Sequence, residues 1–396
     1  MSALPSQSEG DESTEPTWLD PAAVSPGAQS LGGLKVLDLS RVLAGPLSTM
    51  ILGDLGAEVL KVERPGTGDD TRQWGPPYDE AGQATYFQSV NRNKRSISID
   101  MADPGDLNRL TTLAAEADIL VENFRPGALD RFGLGYDALS ATNSGLIYCS
   151  VTGFGSGAGA ELPGYDLLIQ AMGGLMSITG EKNGPPQKVG VALVDVIAGL
   201  FATVGVLAAL RHREETGEGQ HVEVNLLSSL LAALVNQGSA YTLAGVVAER
   251  MGNAHPSISP YDLYAAKGGE VVLAVGNDRQ FAALCKVLGA ADLAHEDRFS
   301  NNYERVSHRA ELRAELEARL AARTPDEWVA LLKPVGVPAG EVNDIAGAFE
   351  LAESLGLEPV VRMPRAGGDG EVGLTRNPIG LSATPPTYRS GPPPLA

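Results

Sequence analysis

The sequence predicts an α/β protein carrying a smaller α+β domain, and three observations support that reading. Short apolar strand patterns alternate with helical ones from Leu34 to Val151, the signature of a parallel sheet covered by helices. The texture changes beyond about residue 228, where a hairpin signal replaces the alternation. A chain of 396 residues also exceeds what one hydrophobic core usually serves, so two domains are expected.

Lys35-Val-Leu-Asp-Leu39 reads as a short buried strand, a helix follows from about Pro46 to Leu55, and Glu58-Val-Leu-Lys-Val62 closes a β-α-β unit. The alternation continues with a helix over Asp106 to Ala117 and strands at Asp118 to Glu122 and Gly145 to Val151. Val189 to Leu210 is almost wholly apolar, is broken by one charge at Asp195, and is long enough to span a bilayer. Flanking charges of both signs, the lack of a second such span and glycines at 190, 199 and 205 favour a core helix instead. Gly217-Glu-Gly-Gln220 then turns the chain into a strand at His221 to Val224 and a helix from about Leu226 to Val235.

In the second texture, Tyr261 to Ala266 and Glu270 to Val275 flank Lys267-Gly-Gly269, the pattern of a hairpin with a three-residue loop. Helices are expected at Asp278 to Leu288, Ser307 to Ala322 and Thr324 to Leu332. The expected organisation is a disordered acidic tail over 1–31, a large domain over 32–227, a small α+β domain over 228–335, and a Pro-rich return of 336–396 to the large domain.

A net charge of −19 argues against nucleic acid and anionic membrane surfaces as partners. Cys149 and Cys285 form no disulfide framework, and no secretory signal is visible, so a cytoplasmic location is expected. The five histidines lack metal-ligand spacing, and no metal site is expected. Dinucleotide binding needs a Gly-rich turn between strand and helix, and the first such turn, Ser40-Arg-Val-Leu-Ala-Gly-Pro46, has one glycine where three are wanted. Gly153-Phe-Gly-Ser-Gly-Ala158 fits the spacing but runs on into loop, Ser156 misses the nucleophile-elbow pattern, and no Walker sequence exists. Asp195 is left. An acid at the start of an apolar helix is either a capping residue or a perturbed carboxylate with acid-base or nucleophilic chemistry, and the residues alone leave both open.

Several ungapped stretches resemble one family, the class III CoA-transferases, which includes formyl-CoA transferase, carnitine CoA-transferase and the alpha-methylacyl-CoA racemases. They are Gly33 to Asp38, Leu55 to Pro65, Asn93 to Ile97, Glu122-Asn-Phe-Arg-Pro-Gly127 and Thr216 to Gln220, and the likeness runs over nearly all of 30–390. The resemblance implies that Asp195 is the nucleophile, about thirty residues beyond the Gly164-Tyr165 dipeptide, with Tyr165 and Asp166 in the substrate pocket. By position it implies CoA contacts from Val42, Leu43, Ala44, Arg64, Ile99, Asp100, Met101, Asn123, Phe124, Arg125 and Arg131, with Arg64 and Arg131 suited to phosphates. Lys94 and Arg95 look more structural.

The implied reaction moves CoA from an acyl-CoA to a carboxylic acid through a covalent aspartyl intermediate, with CoA as substrate and no permanently bound cofactor. The implied fold is a Rossmann-like large domain and a small domain joined by long linkers near 210–230 and 335–360, in an interlocked homodimer. Two departures stand out. Ala102 replaces a CoA-contacting lysine, and Gly252-Asn-Ala-His-Pro-Ser257 replaces a run of glycines. That second run resembles members acting on dicarboxylates such as succinate, which disfavours formate and oxalate. The racemase branch has a histidine where Tyr165 stands, and a tyrosine with an ordinary pKa near ~10 is a poor base. Racemisation is therefore the second expectation, and a CoA-binding protein without catalysis the third.

Overall fold

The computed structural model describes Trp18 and residues 29–396. The acidic tail expected over 1–31 lies outside the described residues apart from Trp18 and 29–31. Those last three are part of the fold: the Gln29 side-chain amide donates to Thr387 Oγ1 at 2.8 Å, and buried Leu31 donates its N–H to the Leu55 carbonyl at 3.0 Å.

The chain forms two compact units. Among the described residues, the first takes in Trp18, 29–173, Gly190–Val235 and Glu358–Ala396; the second takes in Gly174–Val189 and Asn236–Leu357. This division differs from the four segments expected, because Gly174–Val189 is tied to later chain: Gly252 N–H donates to the Gly180 carbonyl and Arg250 Nη1 to the Ser177 carbonyl.

The first unit is built on six parallel strands. These are β1 (Lys35–Asp38), β2 (Glu58–Glu63), β3 (Lys94–Ser98), β4 (Ile119–Glu122), β5 (Ile147–Thr152) and β6 (His221–Asn225), in the order β3-β2-β1-β4-β5-β6. Chain direction reverses its spread between β1 and β4, and in open α/β sheets a ligand crevice opens there, beyond the carboxyl ends of the strands. Helices α1 (Ala44–Asp54), α2 (Pro104–Glu116), α3 (Asp166–Met172), α4 (Leu193–Thr216) and α5 (Leu226–Ala233) complete the unit. Leu37, Leu60, Ile97, Leu110, Leu120 and Tyr148 sit in one apolar cluster of the sheet's core.

The long apolar helix α4 lies along α1. Gly199 makes this possible, since a Cβ there would stand 2.6 Å from the Ala44 carbonyl oxygen. By length and composition α4 could cross a membrane; in this fold Val194, Ala198, Ala202 and Val206 are fully buried.

A knot of charge lies beneath the sheet's carboxyl end. Asp38, Lys61 and Lys94 are wholly buried; Lys94 Nζ donates to Asp38 Oδ2 at 3.0 Å and Lys61 Nζ pairs with Asp69 Oδ2 at 2.9 Å. At the other end of α1, buried Asp54 accepts from Arg92 at 2.6 Å, from Asn93 at 2.8 Å and from Asn377 at 2.9 Å. Residues 358–396 join this unit partly as a hairpin, β10 (Val360–Pro364) with β11 (Glu371–Thr375), rather than only as extended chain.

The second unit has a small antiparallel sheet of β7 (Tyr261–Ala266), β8 (Gly269–Ala274) and β9 (Ala339–Gly340). Ala266 pairs with Gly269, so the hairpin loop has two residues rather than three, and Gly268 takes the φ of +77° that the turn demands. The helix expected over Ser307–Ala322 is present as Arg309–Leu320, and a further short helix, Asn302–Ser307, precedes it. Asn301 starts the short helix through its side chain, and His308 stands between them with φ −107° and ψ 30°. Phe281, Leu284, Leu312, Leu316 and Leu332 fill the core.

Candidate active site

A cleft of about 260 Å³ opens where the sheet geometry puts a crevice, lined by the loops after β1, β4 and β5 and by the starts of α3 and α4. Among the sequence-predicted residues, Val42, Leu43, Ala44, Asn123, Phe124, Arg125, Tyr165, Asp166 and Asp195 all line it. A smaller hollow of about 70 Å³ contains Arg64, Ile99 and Met101, and shares Arg41 and Phe124 with the cleft. Two predicted residues line neither. The exposed Asp100 carboxylate accepts the Ala102 N–H at 2.9 Å, closing its own turn. Exposed Arg131 lies with its guanidinium carbon 4.6 Å from the Phe132 ring centroid.

The loop after β1 carries backbone strain. Val42 has φ 70°, which is costly for a β-branched residue, on the order of 1–3 kcal/mol. Its N–H is held by the Asp69 carboxylate, at 3.2 and 3.3 Å to the two oxygens, and Asp69 is anchored by Lys61. The buried charge knot thus fixes the loop from which α1 starts. Asn123 locks the same loop from β4, accepting the Arg41 N–H at 2.8 Å and donating to the Arg41 carbonyl at 2.7 Å.

Glu122, at the end of β4, accepts the Phe124 N–H at 2.8 Å. Burial pushes its carboxyl up to about 7, against hydrogen bonds from Ser150 and the Phe124 N–H. Beyond β5, Gly153 and Gly164 touch backbone to backbone, with an added Cβ on Gly153 falling 2.4 Å from the Gly164 Cα. The Gly-rich run is therefore a pinched loop, and the next helix starts only at Asp166. It returns the chain to Tyr165 and Asp166 at the start of α3.

Asp195 is the third residue of α4, which lacks a capping side chain of its own because Ala192 occupies the cap position. Asp166 supplies the acceptor: its Oδ1 takes the Val194 N–H at 2.8 Å, and its Oδ2 takes the Gln170 side-chain amide at 2.7 Å. Burial, and then the Asp166 charge, push the Asp195 carboxyl up to about 7. A carboxylate desolvated in this way is more reactive towards an acyl carbon than one in water. Tyr86, in the helix Thr85–Gln88, packs like Ala192 and Val196 against the buried cluster of Leu43, Met50 and Val90, and burial together with Asp195 and Asp166 raises its phenol.

Cations line the mouth. Arg41 and Arg64 converge on Asp70, Arg41 at 3.8 Å and Arg64 in close contact, and the Arg41 guanidinium carbon lies 5.0 Å from the Phe124 ring centroid. Arg41, Asp69 and Asp70 were not singled out by the sequence. The signal for Arg41 is its place in the loop after a strand, and Asp69 matters through Lys61 on β2 and through the Val42 amide, 27 residues before it.

A profile of the CoA-transferase family III matches residues 31–396. Succinyl-CoA:glutarate CoA-transferase of Mus musculus is 43% identical over 340 residues, covering 85% of this chain and 78% of that protein. Succinate--glutarate CoA-transferase of Agrobacterium fabrum is 41% identical over 375 residues, 92% of each. The crystal structure of a CAIB/BAIF family protein from Brucella suis superposes with a TM-score of 0.82 at 43% identity, covering 93% of this chain and 96% of that one.

Proposed function

The chain belongs to the CoA-transferase family III and is a transferase of CoA; from that premise we propose that Asp195 carries the acyl group and then CoA in covalent linkage. The observation that supports this is the position of Asp195: the one acid in the apolar stretch of α4 before Arg211, at the wall of a cleft, with its carboxyl pushed up to about 7.

In the proposed sequence, an Asp195 carboxylate oxygen attacks the thioester carbonyl of the donor. The C–S bond breaks and CoA leaves as thiolate, giving a mixed anhydride. The thiolate then attacks the aspartyl carbonyl, the donor acid departs as carboxylate, and an aspartyl-CoA thioester remains. An acceptor carboxylate attacks that thioester and expels the thiolate, which finally attacks the acceptor's acyl carbon and frees Asp195. No proton is gained or lost overall, and the thioester's free energy is kept only if water is excluded.

CoA would lie across the cleft and the adjoining hollow, with Val42, Leu43, Ala44 and Asn123–Arg125 at the first and Arg64, Ile99 and Met101 at the second. Arg41 and Arg64 suit its phosphates. Because Asp100 and Arg131 line neither space, they are the weaker members of the proposed contact set. The names of the relatives, glutarate and succinate among them, point to dicarboxylic acids as donor and acceptor. A further relative, 40% identical over 366 residues, is named acetyl-CoA:oxalate CoA-transferase, so oxalate belongs in the acceptor panel despite the His-Pro-Ser run.

A cytoplasmic homodimer is also proposed. Leu200, Phe201, Val204 and Leu207 on α4 and Leu231 on α5 are 37–62% exposed, an apolar strip of the kind that a second copy covers. Mass measurement by light scattering on the intact protein should give twice 41.3 kDa.

The decisive experiment is intact-protein mass spectrometry after mixing with succinyl-, glutaryl- and acetyl-CoA, with hydroxylamine or borohydride trapping. An adduct that maps to Asp195 in the wild type and is missing in Asp195→Asn supports the relay. No adduct with any donor, together with solvent deuterium entering the alpha carbon of a branched acyl-CoA without an acceptor acid, would replace it with the racemase reading.

A further inference from the structure

We propose that Asp166 is the positioning residue for the reacting carboxylate: from α3 it clamps the first turn of α4 and holds a second negative charge against Asp195. The inference rests on the relay proposed above and assigns Asp166 a role within it other than lining the pocket.

The geometry is that of a helix cap supplied from elsewhere in the chain. A helix start leaves its first amides without partners, and the amide two residues past the cap is one that capping side chains normally satisfy. In α4 that amide belongs to Val194, immediately before Asp195, and its acceptor comes from a residue 28 positions upstream. Asp166 is itself held, because Gln170, with 0% exposure, donates to its other oxygen and lies 3.5 Å from the Val191 carbonyl. Both oxygens of Asp166 are thus committed, one to each helix, and a change in the α3–α4 angle must displace Asp195.

The charge has a separate consequence. Free Asp195 is an anion beside an anion, whereas the anhydride and the thioester leave it neutral. Like-charge repulsion is therefore present in the resting enzyme and relieved by acylation, which lowers the barrier to the first attack relative to the resting state. Other groups bearing on Asp195 leave this intact. The Tyr86 phenol, pushed up by burial and by Asp195 and Asp166, adds no charge. Arg41, Asp70 and Arg125 line the same cleft, and Asp69 bears on Tyr86 while being paired with Lys61.

The test uses the full-length protein with the donor that labels the wild type best. Steady-state kinetics are read from pH 5 to 9 for the wild type, Asp166→Asn and Asp166→Ala. The asparagine keeps an acceptor for the Val194 amide and removes the charge, while Gln170 can turn its amide to match. For Asp166→Asn the acid limb of kcat should move down by about one pH unit with KM for acyl-CoA within about twofold. For Asp166→Ala, kcat should fall roughly 10- to 100-fold at similar KM, since the first turn of α4 is released. An asparagine profile that superposes on the wild type, or losses confined to KM, would overturn the inference while leaving the relay intact. If the Asp166 variants do not fold, Gln170→Leu frees one oxygen of Asp166; a fall in kcat at unchanged KM supports the role, and unchanged kcat refutes it. A wild type that forms no adduct with any donor removes the relay itself, and the inference with it, a result distinct from the others.

Discussion

Asp38 is fully buried and Asp195 partly so, yet their carboxyls are driven in opposite directions. At Asp38 burial opposes ionisation, but Lys94, Lys61 and the Ser40 and Thr49 hydroxyls outweigh it and hold the group at about 2. At Asp195 burial is reinforced by Asp166, and the group sits at about 7. Burial alone therefore decides nothing; what surrounds the buried group does. The first carboxylate is part of a closed set of charges that shapes the loop before α1, and the second is left unbalanced where chemistry is proposed.

The strongest way to break this contrast is to remove each charge. Asp38→Asn leaves the buried Lys94 ammonium without its carboxylate partner and should cost about 3–5 kcal/mol of folding stability. Asp195→Asn abolishes transfer but should stabilise the protein by about 1–4 kcal/mol at pH 8. Urea denaturation of both variants reads this directly, and losses of similar size in both would defeat the comparison.

The next effect is the pH dependence. Asp195 has a folded value raised from 3.8 to about 7, so its folded form holds a proton that the unfolded chain has released. Its destabilising contribution is absent below pH 4, grows between 4 and 7 and is complete above. The stability gap between Asp195→Asn and wild type should therefore widen by about 2–3 kcal/mol from pH 5 to pH 8. Asp38, lowered from 3.8 to about 2, behaves the opposite way: about 2 kcal/mol of stability is present above pH 4 and is lost as pH falls through 2. In the same enzyme kcat/KM should climb with pH to a plateau above about 7, as Asp195 ionises.

Smaller again, Arg41→Ala or Arg64→Ala should raise KM for acyl-CoA about tenfold, with kcat little changed, because the proposed phosphate contacts act equally in ground and transition states. Glu122→Gln is the finest test. Its carboxyl has hydroxyl and amide donors but no cation among its partners within the described residues, and it sits at about 7. The neutral isostere keeps an acceptor for the Phe124 N–H, so at pH 5, where the folded Glu122 carboxyl is already protonated, stability should change by less than about 1 kcal/mol. A loss as large as that of Asp38→Asn would mean that Glu122 has a counter-ion role.

These contrasts also mark what the sequence could show. β1, α1 and β2 were legible because their apolar spacing is local, and the α/β class followed from them. β3 was not, since Lys-Arg-Ser-Ile-Ser carries two cations that become acceptable inside only when Asp38 and Glu58 arrive from other strands. β10 and β11 were hidden in a tail rich in Pro and Gly, each too short to declare a period. Asp195 stood out as the one acid in an apolar run, although its proposed role came from family resemblance. Asp166 was visible as a residue, but its bond to the Val194 amide is a tertiary fact with no local signature. Arg41 and Asp69 are legible only once the loops after β1 and β2 are brought together.

The knot around Asp54 has a consequence for how the chain is made. Its carboxylate emerges early, but one of its donors, Asn377, lies 323 residues further along. At a synthesis rate of about 5–20 residues per second, that partner arrives roughly 16 to 65 s later. Through that interval the second unit is synthesised whole while the first is still missing its last segment. All six strands of the parallel sheet have been made by then, so the nascent chain carries a complete sheet beside a buried carboxylate that lacks one donor until the final forty residues arrive.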